Sequence, residues 1–173
     1  MFLGNDQVRN SLEDFIISHT GQSYILGGSK GLGKRTYAEI ILKKLERPYV
    51  LTRGGTDIQS LRDIVRLATL RQKENTTLIL DDFDNARDDA QNTFLKTLEE
   101  APHLSFCIIA HNLDALLPTI HSRAPLFYFS PLTQSEMMLF LDDEKVFEVS
   151  KRGLIVQYSA GRPGYAKKNY RAF

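Results

Sequence analysis

Gly28-Ser29-Lys30-Gly31-Leu32-Gly33-Lys34-Arg35-Thr36 is the stretch on which the fold turns. It follows the apolar run Tyr24-Ile25-Leu26 and opens a segment with Ala38, Ile41, Leu42 and Leu45 at helical spacing. Strand, glycine loop and helix in that order form the setting of a phosphate-binding loop. Glycines let consecutive N–H groups face one anion, and the helix N-terminus adds partial positive charge. The Lys34 ammonium can then reach outer phosphates, so all nine residues are candidate nucleotide-binding positions. One letter departs from the usual pattern, which ends Gly-Lys-Ser/Thr with the hydroxyl on Mg²⁺. Arg35 stands there instead, and Thr36 is turned about 100° further around the helix. The competing reading is a glycine turn that only joins strand to helix.

The chain has 173 residues, 42% hydrophobic and 25% charged, enough for one good core and a small appended subdomain. A net charge of +1 draws it to neither nucleic acid nor an anionic membrane as a whole, so any such contact must be local. Cys107 is the single cysteine, set in Phe106-Cys107-Ile108-Ile109. It has no disulfide partner and no second thiol for a zinc cluster, and reads as a small buried hydrophobe. No stretch is long and apolar enough for a bilayer, and no basic-then-apolar leader opens the chain. These features point to a reducing cytoplasm without membrane contact.

Outward from the loop, Val8, Leu12, Phe15 and Ile16 mark a first helix ending before Thr20-Gly21. The helix after the loop stops at Arg47-Pro48, and Tyr49 to Thr52 is a short strand. Asp57 caps a helix with Ile58, Leu61, Ile64, Val65 and Ala68 on one face. Its other face carries Arg62, Arg66 and Arg71, which can meet phosphate or simply be solvated. Thr76 to Leu80 is a fully buried strand, Asp88 to Glu100 a helix closed by Pro102, and Ser105 to Ala110 another buried strand. A helical turn region from Asp114 to His121 and a strand from Leu126 to Phe129 follow. The alternation predicts an α/β fold with a five-stranded parallel sheet flanked by helices over residues 1–130. From Ser130-Pro131 the pattern is helical only, so 131–173 reads as a small helical unit. Its basic end, with Arg162, Lys167, Lys168 and Arg171, is either a soluble tail or a contact for DNA or a partner.

Asp81-Asp82 closes the buried strand, and ligands of open α/β sheets gather at such carboxyl ends. Asp81 suits a Mg²⁺-bound water and Asp82 an attacking water; alternatively both only cap the next turn.

Four segments carry a resemblance. Asn92-Thr93-Phe94-Leu95-Lys96-Thr97-Leu98-Glu99-Glu100-Ala101-Pro102 resembles a helix of AAA+ clamp-loader subunits. Leu116 to Ala124 resembles the segment bearing their Ser-Arg-Cys motif. Gly4-Asn5-Asp6-Gln7-Val8 resembles their opening box, and Ser159-Ala160-Gly161-Arg162-Pro163-Gly164 a lid motif of bacterial DNA polymerase III delta-prime subunits. The resemblance runs nearly the whole chain and implies an AAA+ P-loop fold with a lid. It implies a ring of loader subunits as partners, a sliding clamp, primer–template DNA, and ATP or ADP at subunit junctions.

Carried over residue by residue, Gly28, Gly31, Gly33 and Lys34 match the Walker A loop and Asp81 the Walker B aspartate. Asp82 stands where a catalytic glutamate is usual, one methylene short. His111 falls at the sensor-one position, facing the terminal phosphate. Arg123 matches an arginine finger, catalytic in trans at a neighbour's ATP, with Ser122 holding its loop. Departures share a direction. Arg35 removes the Mg²⁺ hydroxyl, Gly164 replaces the sensor-two arginine, Ala124 replaces the motif cysteine, and the zinc module is absent. After Gly164 only Tyr165 to Phe173 remain, short of the family's helical collar. The expectation is an accessory subunit with a degenerate ATP site. The alternatives are a gamma/tau-like motor hydrolysing its own ATP and a stand-alone DNA-binding AAA+ module; a small-molecule P-loop kinase fits least.

Overall fold

The computed structural model describes residues 3–53, 62–63, 65–66, 76–101, 104–144 and 149–169. Five strands form one parallel sheet: β1 (Tyr24–Gly27), β2 (Tyr49–Arg53), β3 (Thr76–Asp81), β4 (Leu104–Ile109) and β5 (Leu126–Tyr128), in the order β2-β3-β4-β1-β5. Helices α1 (Asp6–Ser18), α2 (Lys34–Lys44), α3 (Asp88–Glu100) and the short α4 (Pro118–His121) accompany it.

Why the three central strands are apolar throughout follows from the layers. Successive side chains of a strand point to opposite faces. Ile25, Leu78, Leu80, Phe106 and Ile108 pack with Ala90 and Phe94 of α3 and Ile120 of α4. Their neighbours Tyr24, Leu26, Ile79, Cys107 and Ile109 pack on the other face with Leu12 and Ile16 of α1 and Ala38, Ile41 and Leu42 of α2. Both faces are covered, so no polar alternation is left to see. Cys107 is fully buried, and burial pushes its thiol well above the ordinary value.

Three further helices follow the sheet: α5 (Gln134–Asp143), α6 (Val149–Ser159) and α7 (Pro163–Asn169). Thr133 and Glu136 close a reciprocal capping box at the start of α5, satisfying two otherwise orphaned N–H groups. Leu132, Met137, Leu141, Ile155, Val156 and Ala166 make a separate apolar cluster. The two ends of the α/β part meet where the Asn5 amide takes the Ser130 N–H (2.8 Å) and donates to the Ser130 carbonyl (3.0 Å).

Several boundaries differ from the sequence reading. The helix after the loop ends at Lys44, because Leu45 and Glu46 already turn, Glu46 with φ 53°. The fourth strand runs Leu104–Ile109, and the Asp114–His121 region splits into a 3₁₀ turn at Leu113–Ala115 and α4. Residues 62, 63, 65 and 66 are helical, as read; Asp57, Ile58, Leu61, Ile64, Ala68, Arg71 and Pro102 lie outside the described residues. The basic end through Lys168 is no loose tail. Arg162 lies over the Tyr165 ring (4.2 Å to the centroid), Lys167 pairs with Glu144 (2.8 Å), and Lys168 borders a cleft. Among the described residues no helix is long and apolar enough to cross a membrane.

Candidate functional site

Parallel pairing brings the carboxyl ends of β1, β3 and β4 to one side of the sheet, and the loop after β1 lies there. The loop needs its glycines. A Cβ on Gly28 (φ +124°) would stand 2.2 Å from the Phe129 carbonyl oxygen, and Gly33 caps α2 at φ 84°.

Lys34, the first residue of α2, is 2% exposed. Its ammonium donates to the Gly28 carbonyl, the Ser29 carbonyl (3.0 Å) and His111 Nδ1 (2.8 Å). An ammonium only donates, so Nδ1 accepts and the His111 proton sits on Nε2, which donates to Asp82 Oδ1 at 2.5 Å. Burial lowers the Lys34 pKa to about 8, against the raising influence of Asp84, Asp81 and Asp82. Burial disfavours ionised Asp82, but the His111 hydrogen bond and the Lys30 charge (3.4 Å) outweigh it and hold the carboxyl below its ordinary value. Asp82 itself adopts a left-handed backbone (φ 57°), which aspartate tolerates better than most residues.

Arg35 decides the metal chemistry. Its Nη1 donates to Asp81 Oδ2 at 3.0 Å, and its Nε lies 3.5 Å from Glu39 one turn on. One ligand atom from each of Asp81, Asp82 and His111 falls within 4.8 Å of the others, a spacing a metal would accept. Each is already engaged: Asp81 by a guanidinium, Asp82 by His111 and Lys30, and His111 by Lys34. Mg²⁺ wants near-octahedral oxygen ligands and keeps its waters, and position 35 supplies a cation where a hydroxyl is wanted. The residues present do not fit that ion.

Loop residues Lys30 to Thr36 border a cleft of about 300 Å³ with Asp81, Asp82, Ile109 and His111. Its far wall is Gly164, Tyr165 and Lys168 of α7. The structure thus gathers the loop, Asp81, Asp82 and His111, while Gly28 and Ser29 serve through their carbonyls. Arg123 is elsewhere. It follows α4, donates from Nη1 to the Thr119 carbonyl (3.1 Å) and pairs through Nη2 with Glu99 on α3 (2.9 Å). Its side chain is 42% exposed and that of Glu99 59%. The Ser122 hydroxyl also donates to the Thr119 carbonyl (3.0 Å), tightening the turn. Sequence reasoning missed Glu99, Tyr165 and Lys168 as site neighbours. The signal for the last two was spacing: one and four residues after Gly164, they share its helix face.

Comparison with known proteins adds to this geometry. A family model described as "DNA polymerase III, delta subunit" matches residues 53–133. Human replication factor C subunit 5 is 26% identical over 92% of the chain and 52% of its own length. A replication factor C small subunit of Methanococcus maripaludis is 25% identical over 82% of the chain and 49% of its own. The chain spans about half the length of the curated relatives it matches. Among solved structures, the Holliday junction branch migration motor RuvB of Thermotoga maritima superposes with a TM-score of 0.79 at 17% identity, covering 98% of this chain and 61% of that one. That likeness speaks for the AAA+ P-loop fold. Ordered motifs, a parallel sheet with a phosphate loop at its carboxyl end, and relatives matched along most of the sequence agree: the chain belongs to the AAA+ clamp-loader family.

Proposed function

We propose that this chain is a delta-prime-like clamp-loader subunit of DNA replication. It assembles with other AAA+ loader subunits in the cytoplasm, helps place a sliding clamp on primed DNA, and lends Arg123 to the ATP of a neighbour. Residues 1–130 are its nucleotide-binding-type unit and 131–173 its lid. The observation that carries this reading is the 3.0 Å bond from Arg35 to Asp81. It engages the carboxylate on which metal-assisted hydrolysis in the chain's own cleft would depend, while Arg123 stays outside that cleft and solvent-accessible. A motor subunit turning over its own ATP needs the reverse arrangement.

In a neighbour's junction the Arg123 guanidinium would stabilise charge developing on the transferring phosphoryl group. Such a contribution is worth about 10³–10⁵ in rate in related systems. To act, it must exchange Glu99 for phosphate, and the exposed pair holds it by only about 0–1 kcal/mol. In its own cleft the chain holds ATP or ADP through loop N–H groups and Lys34, with no step routed through Mg²⁺ and no zinc. A groove of about 350 Å³ lined by Arg62, Arg66, Thr93 and Lys96, with Glu100 at its edge, suits the primer–template backbone. Titrating the purified chain with ADP and ATP, with and without Mg²⁺, tests the reading of the cleft. Weak or metal-indifferent binding is expected, and micromolar affinity that collapses on chelation contradicts it.

A further inference from the structure

The turn entering α7 reads Gly161-Arg162-Pro163-Gly164-Tyr165. The first N–H groups of a helix have no partner inside it. Pro163 has none to place, and those of Tyr165 and Ala166 turn back to the Arg162 carbonyl at 3.0 and 3.2 Å. The Gly164 N–H goes outward instead, donating to the Gly31 carbonyl in the middle of the phosphate loop at 2.8 Å.

Both glycines are required by that approach. A Cβ on Gly164 would stand 3.0 Å from the Gly31 oxygen and 3.1 Å from its Cα. A Cβ on Gly31, at φ +90°, would stand 2.4 Å from Cδ2 of Tyr165. The Tyr165 ring therefore rests against Gly31, and the Arg162 guanidinium stacks on that ring. A third glycine ties the same turn to the chain entering α5. The Gly161 carbonyl accepts the Leu132 N–H at 2.8 Å, where a Cβ would meet the Leu132 oxygen at 2.4 Å.

We propose that this interlock of Gly31, Gly164 and Tyr165 pins the lid to the phosphate loop through the chain's own backbone, so that lid position does not follow what the cleft holds. A ligand moves a hinged lid only through contacts that differ between the open and closed positions. Here protein groups make the closing contacts. The lid residue nearest the loop carries no side chain to reach a phosphate, and the interlock itself demands that absence. Loss of the arginine expected at position 164 and immobility of the lid are then one adaptation. The proposal rests on the reading of the cleft as a nucleotide site but not on Arg123.

Hydrogen–deuterium exchange of the full chain tests it, reading peptides over 160–169 with no nucleotide, with ADP, with Mg²⁺-ATP, and for the variants Gly164→Ala and Tyr165→Ala. In the wild type, protection of these peptides is expected to agree within about threefold across all conditions. Without nucleotide, each variant is expected to lose about tenfold there while peptides of β3 and β4 stay unchanged. Tyr165→Ala adds no atoms, so it decides the matter if Gly164→Ala fails to fold. Wild-type lid amides that become protected tenfold only with nucleotide overturn the proposal, as does a folded Tyr165→Ala protein with undiminished lid protection. An Arg123→Ala variant is expected to match the wild type here, so failure of the trans-acting role would not register in this measurement.

Discussion

Arg35 and Lys34 stand side by side at the start of α2 and set the chemistry of the cleft in opposite ways. Arg35 brings a permanent cation to Asp81, so Arg35→Thr is expected to free that carboxylate and return a hydroxyl. Calorimetric titration should then show ATP binding about tenfold tighter with Mg²⁺ than after chelation, where the wild type shows little difference. Lys34 is buried with a pKa near 8, against 10.5 ordinarily. Between those values the unfolded chain holds the proton and the folded chain has released it, so unfolding takes up a proton and stability rises with pH across that window. Below about pH 8 the folded chain bears the cost of a charged buried amine. Denaturant midpoints at pH 7.5 and 10 should rise in the wild type relative to Lys34→Met. The sequence showed that position 35 was wrong for a metal site. It could not show where the guanidinium goes, because Asp81 lies 46 positions away and only the parallel sheet brings them together.

At the scale of elements, α3 links the core to Arg123. Phe94 lies between Phe83 (4.9 Å) and Phe106 (5.0 Å), fully buried, so Phe94→Ala is expected to cost about 3–5 kcal/mol in urea unfolding. Glu99→Gln, on the exposed end of the same helix, should change stability by less than about 1 kcal/mol. It should nevertheless raise the response of a neighbour's ATPase, because Arg123 no longer exchanges one anion for another. Periodicity made α3 and its apolar stripe legible, and the motif around Ser122 made Arg123 legible. Gln91 was not. It is fully buried, donates to the carbonyls of Ala86 (3.0 Å) and Ala115 (2.8 Å), and accepts the Leu117 N–H (2.9 Å). A polar letter on an apolar stripe looks like a break in the pattern until its three partners, contributed by loops, are in place.

For the whole molecule, strand–helix alternation gave the layers and the parallel sheet, because continuous apolar strands fit nothing but a sheet covered twice. It could not give the packing of α7 on the loop, which depends on two glycines 133 positions apart meeting backbone to backbone. The near-neutral net charge makes any DNA contact a local matter. Replacing Arg62, Arg66 and Lys96 by alanine should flatten the salt dependence of DNA binding by an assembled loader. The log–log slope is expected to fall by about one for each phosphate no longer neutralised, with no change in sequence preference. The central claim is that this chain contributes catalysis to a neighbour and little to itself. DNA- and clamp-stimulated ATPase of a reconstituted assembly, comparing wild type with Arg123→Ala, tests it most directly. A fall of about 10³-fold at the junction this chain serves, with its own nucleotide affinity unchanged, is the predicted result. Undiminished ATPase and clamp loading by the Arg123→Ala assembly would contradict it.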